Sequence, residues 1–148
     1  MKKKIILSLI IILAIIAIII TLIVVLKREN KVIFYKAIDA FEPIHTFRHT
    51  NIYNNGKIEY QHYNGKNTYK KTKKLSKEDL NKLKECISKI ETEKLEKVKN
   101  GGNTIFDLSY YLRINLNKEI SLSGYTSEGI QELTELVNSF EQKYLKED

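Results

Sequence analysis

The 148 residues include one cysteine, one proline, six glycines and no tryptophan. With Cys86 alone, no intrachain disulfide can form, and the fold must rest on burial. The same count excludes Cys-based zinc ribbons and Cys-x-x-Cys redox pairs. No cysteine directly follows the N-terminal apolar run, so a lipoprotein-type anchor at that junction is excluded as well. Phosphate-binding signatures are missing too. Asn100-Gly101-Gly102-Asn103 lacks the Gly-Lys-Ser/Thr ending of a P-loop and the spacing of a dinucleotide turn, and reads as a loop. The sequence resembles no named family.

The most informative absence is of charge. Between residues 5 and 26 there is none, and the only hydroxyls are Ser8 and Thr21. Lys2, Lys3 and Lys4 precede this run, and Lys27 and Arg28 follow it. As a helix it would be about 33 Å long at ~1.5 Å per residue, enough to cross a ~30 Å hydrocarbon core. A cleaved signal peptide has a shorter apolar core and a small-x-small cleavage site. Here the last small residue of the run is Ala17. The sequence therefore predicts an uncleaved single-pass anchor over 5–26, a basic tail over 1–4, a juxtamembrane linker over 27–43 and a tethered domain over 44–148.

Positive charges flank both ends of the span, so the positive-inside count is nearly tied. A long following domain can cross largely regardless of its charge. The expectation is a cytoplasmic N-terminus and an extracytoplasmic domain. Without the first three lysines the chain carries 22 basic against 18 acidic residues, a net of +4. That is too little to read as a nucleic-acid-binding excess. Abundant Ile, Lys and Asn give the composition of an AT-rich, bacterial genome.

The tethered domain reads as α+β: a small antiparallel sheet with two helices on one face. Residues 46–53 and 57–63 are β-prone and flank Asn54-Asn55-Gly56, which predicts a hairpin with a type I′ turn. Asn64-Gly65 marks a second turn, and 68–73 a third strand. Ser76 is set to cap a helix, with Asp79 reaching back as in a capping box. Leu80, Leu83, Ile87 and Ile90 give that helix one apolar stripe. Further on the period falls to two: Tyr110, Leu112, Ile114 and Leu116 alternate with Tyr111, Arg113 and Asn115, a half-buried strand. Asn117-Lys118 turns it into a partner over 119–123. Thr126 or Ser127 then caps a second helix bearing Ile130, Leu133, Val137, Phe140 and Tyr144. The two helices align at an offset of 50, Ser76 on Thr126 and Leu83 on Leu133, as in two strand–strand–helix units.

Candidate chemistry is sparse. His45 and His49 would stand roughly 13 Å apart on one strand at ~3.3 Å per residue, too far to share zinc easily. His62 lies on the partner strand, and no metal or cofactor is expected. Cys86 falls at the edge of a helix stripe, a structural position. Two features point to binding instead. Lys70, Lys71, Lys73, Lys74 and Lys77 form the densest basic run. The strands also carry many tyrosines, which are enriched at protein interfaces. The predicted interaction surface is Tyr60, Tyr63, Tyr69, Lys70, Lys71, Lys73, Lys74, Tyr111 and Arg113.

The resulting expectation is a non-enzymatic, membrane-anchored binding domain of the bacterial cell envelope. Its partners would be the lipid bilayer and an envelope protein or anionic surface polymer. The alternatives are a small membrane regulator of the immunity type, in which the bilayer helix carries specificity, and a metal-dependent hydrolase.

Overall fold

The computed structural model describes residues 2–40, 45–97 and 108–145. It divides into two units, residues 1–31 and 32–148. The first unit is helix α1 (Lys2–Glu29), whose stretch Ile10–Glu29 is long and apolar enough to cross a membrane. Its large apolar side chains from Ile10 to Leu26 stand 46–60% exposed. Leaving such a surface in water would be costly. The chain thus has one candidate membrane anchor followed by an α+β unit.

In the second unit the strands are β1 (Val32–Ala40), β2 (Thr46–Tyr53), β3 (Lys57–Tyr63), β4 (Thr68–Lys74), β5 (Glu96–Lys97), β6 (Leu108–Asn115), β7 (Glu119–Ser121) and β8 (Tyr125–Thr126). Six form one antiparallel sheet in the order β4-β3-β2-β1-β6-β7. β5 and β8 pair separately. Helices α2 (Lys77–Thr92) and α3 (Glu128–Phe140) pack on one face of the large sheet. Alternation explains which face: Phe34, Ile52, Ile58, Leu112 and Ile114 point to the helices and are buried. Leu83, Ile87 and Ile90 of α2 meet them, with Leu133, Val137 and Phe140 of α3. Each such side chain is worth about 1.5–3 kcal/mol relative to exposure.

Several expectations need correction. The presumed linker over 27–43 contains β1, a central strand paired with both β2 and β6. A register shift between Val32 and Phe34 turns both Ile33 and Phe34 into the core. The hairpin after β2 is not type I′, because only Gly56 has positive φ there, at 84°. Gly56 N–H instead donates to Tyr53 C=O at 2.9 Å, and Asn55 Oδ1 accepts from Lys57 N–H at 2.9 Å. This is a three-residue loop closed by a left-handed glycine. Ser127, and not Thr126, caps α3, accepting from Ile130 N–H at 3.2 Å. The two caps are therefore offset by 51 residues while the buried stripes are offset by 50, so the repeat is inexact. Pro43, Asp107, the Asn100–Asn103 loop and the side chain of Tyr110 lie outside the described residues.

Candidate functional site

α3 does not end cleanly. Its last turn widens into a π-helical turn, Glu141–Leu145, a feature often found at functional sites. This turn faces the outer strands β3 and β4 and walls a cleft of about 1030 Å³. Tyr60, His62, Tyr69, Lys70 and Lys71 line one side; Asn138, Glu141, Gln142 and Leu145 line the other. The rings form a short ladder, with Tyr60 and His62 centred 6.3 Å apart and His62 and Tyr69 6.1 Å apart.

A polar network holds the α3 wall in place. Lys36 points into the helix side of the sheet between Phe34 and Ile38. Its Nζ lies 2.7 Å from Glu141 Oε1 and donates to Asn138 Oδ1 at 3.0 Å. Thr50, opposite Lys36 on β2, donates its hydroxyl to the same Glu141 oxygen at 2.6 Å. Lys36 and Thr50 are both buried. The Glu141 carboxylate is thus engaged by the fold, and the other charged residues of the lining, Lys70 and Lys71, are basic.

A second set of bonds pins the π turn to the start of α2. Ser76 Oγ accepts from Asp79 N–H at 3.1 Å, as a cap should. The expected reach-back of Asp79 is replaced by Tyr144, whose hydroxyl accepts from Ser76 N–H at 3.0 Å and donates to Asp79. Lys143 donates to the same carboxylate at 2.7 Å. The Lys143 hydrogen bond, with that of Tyr144, holds the Asp79 carboxyl down to about 2.

The opposite face of the sheet has no helix over it among the described residues. It carries an aromatic row. Phe47 stacks on His49 at 4.6 Å and on Tyr63 at 5.5 Å, and Tyr35 follows at 6.1 Å from His49. Arg113 lies over the Tyr35 ring at 5.5 Å. His49 Nε2 and Asp39 Oδ1 are 3.0 Å apart. Burial, then the nearby Asp39 charge, raises the Tyr35 phenol above its ordinary value. At one corner, the hydrogen bond from Tyr53 to Glu59, 2.6 Å long, pushes the Tyr53 phenol up to about 12.

The predicted interaction residues therefore divide between two faces. Tyr60, Tyr69, Lys70 and Lys71 meet at the cleft. Lys73 pairs with Ile58 on the same edge strand, and Lys74 pairs with Lys57. Tyr63, Tyr111 and Arg113 belong to the bare face, where Tyr111 is 51% exposed. Lys36, Thr50, Asn138, Glu141 and Gln142 were not foreseen. Lys36 alone left a signal, a charge in the inward phase of an otherwise apolar alternation.

His49 and His62 fall on opposite faces of the sheet, by strand alternation. No group of three or more His, Cys, Asp or Glu residues able to hold a metal ion occurs among the described residues. Cys86 is buried, and burial pushes its thiol up to about 11. It packs as a small apolar residue of the α2 stripe. No protein-family model matches this chain, and no curated protein matches it in sequence.

Proposed function

We propose that this chain is a membrane-anchored, non-enzymatic binding module of the bacterial cell envelope, with its N-terminus in the cytoplasm and its α+β unit outside. The cleft between the β3–β4 edge and the π turn is its binding site. One observation carries this reading. The cleft is lined by Tyr60, His62 and Tyr69 with Lys70 and Lys71, while its acidic residue, Glu141, is already bound by Lys36 and Thr50. Such a lining, of aromatic rings with cations beside them, suits contact with a partner surface. Its partner would be an envelope protein or an anionic surface polymer.

The test is cross-linking in living cells. A photo-reactive residue replaces Tyr69 in the cleft, and in a second strain replaces Glu128, exposed at the start of α3. A discrete adduct at position 69, absent at 128 and lost on adding Lys70→Glu and Lys71→Glu, supports the reading. Equal adducts at both positions, or none at 69, contradict it. A regulator that works through its bilayer helix is the second reading, favoured by the exposed apolar side chains of α1 between Ile10 and Leu26. Exchanging α1 for an unrelated anchor separates the two, since a binding module keeps its activity and such a regulator loses it.

A further inference from the structure

The sheet has two unlike edges. β7 is three residues long, and Glu119 on it is engaged by Arg113 at 3.2 Å and Asn115 at 3.3 Å. β4 is seven residues long and pairs with β3 in unbroken register from Tyr63↔Thr68 to Lys57↔Lys74. It contains no proline, glycine or bulge, the usual devices that blunt an edge. Its outward side carries no further strand among the described residues. What guards it is charge. Residues 66–77 include Lys66, Lys70, Lys71, Lys73, Lys74 and Lys77 and no acidic residue. The nearest acid across the register, Glu59, is hydrogen-bonded by Tyr53 and Lys57 and also feels the Lys70 charge.

A lysine-rich edge repels a second copy of itself, because like charges directly opposite are destabilising. The same row attracts an acidic strand. The cleft adds a second condition. It opens beside β4 on the helix side, where Tyr69 and Lys71 already reach into it. A strand laid along β4 would place alternate side chains in that cleft and the rest over Lys70, Thr72 and Lys74. Edge addition of this kind takes its affinity from main-chain hydrogen bonds and its specificity from pockets for alternate side chains.

We propose that β4 accepts an extended acidic segment of a partner protein as a seventh antiparallel or parallel strand of the sheet. This rests on the binding reading above and narrows it from any anion to an acidic polypeptide. The charge selects the partner and bars self-pairing; the backbone of β4 supplies the bonds.

The full chain in discs of zwitterionic lipid tests it, by fluorescence anisotropy with labelled peptides of about ten alternating Glu and Val residues, long enough to span β4. Parity is the signature. A strand on an edge uses the N–H groups of alternate residues only. N-methylation of one alternate set must therefore abolish binding, and N-methylation of the other must be tolerated. The corresponding Lys–Val peptide should not bind. Lys70→Glu with Lys73→Glu, both at exposed positions, should weaken the acidic peptide roughly tenfold or more. Equal binding of both methylated peptides, or competition by polyphosphate as strong as that by the peptide, overturns strand addition in favour of a general polyanion site. Failure of every peptide also overturns it. If the adduct at position 69 then persists in cells, the binding reading survives; if both fail, neither does.

Discussion

At the scale of single residues, the buried Lys36–Glu141 pair decides most. Two desolvated charges gain little net stability together but cost much when one is left alone. Glu141→Leu strands a lysine whose side chain is 8% exposed, and should cost about 3 kcal/mol. Lys36→Met leaves a carboxylate that is 23% exposed and can reach water, so its cost is smaller. The double variant should lie within about 1 kcal/mol of the parent. Urea unfolding of all four proteins measures this, and additive losses would refute a coupled pair. Asp79 gives a pH prediction. Its carboxyl is held at about 2 in the fold against an ordinary value of 3.8. The unfolded chain thus binds the proton first as pH falls. The stability due to this group is complete above pH 3.8 and is lost between there and about 2. Asp79→Asn should flatten the acid limb of the melting curve in that window; an unchanged limb would show that Asp79 does not contribute. Cap residues and apolar stripes were legible in the sequence because they are local. The role of Lys36 was not, since its partners are 102 and 105 positions away.

At the scale of elements, turn chemistry and hydrophobic period located most of the structure. The bounds of β2 and β3 follow from Asn-Gly between β-prone runs, although the loop that forms is a different one. Both helices follow from a serine cap and a stripe at helical spacing. The caps should be worth about 1 kcal/mol each. Ser127→Ala tests the second cap, removing the bond that Ser127 Oγ accepts from Ile130 N–H together with the one it donates to Glu93 at 3.0 Å. A loss near 1 kcal/mol in urea is expected, and no loss would mean that the cap is dispensable. β1 escaped the sequence reading. It follows α1 directly, carries Lys36 and Asp39, and is held as a strand by β2 on one side and β6 on the other, with Phe34 paired to both Ile52 and Ile114. The pairing with β6 joins residues far apart in sequence, and its two charges blur the alternation that would mark a strand. The π turn escaped too, because Tyr144 continues the helical spacing from Phe140, yet Leu145 is the residue that becomes buried.

At the scale of the whole molecule, the fold class and a candidate membrane span were readable and the cleft was not. An uncharged run of this length has few uses besides a membrane span. Two ββα-like segments point to one antiparallel sheet under two helices. The cleft, by contrast, is assembled from β3, β4 and the end of α3, backed by β1 and β2. It exists only because the strands are ordered β4-β3-β2-β1-β6-β7. Division of the tyrosines and lysines between two faces depends on the same order. The proposed function depends on α1, the candidate membrane span. Protease treatment of intact cells carrying an epitope after Asp148, followed by alkaline extraction of their membranes, tests this most directly. The account predicts an epitope that is digested without lysis and a protected fragment that stays in the membrane pellet. Full-length protein recovered from the cytosol without detergent, its epitope untouched by external protease, would contradict it.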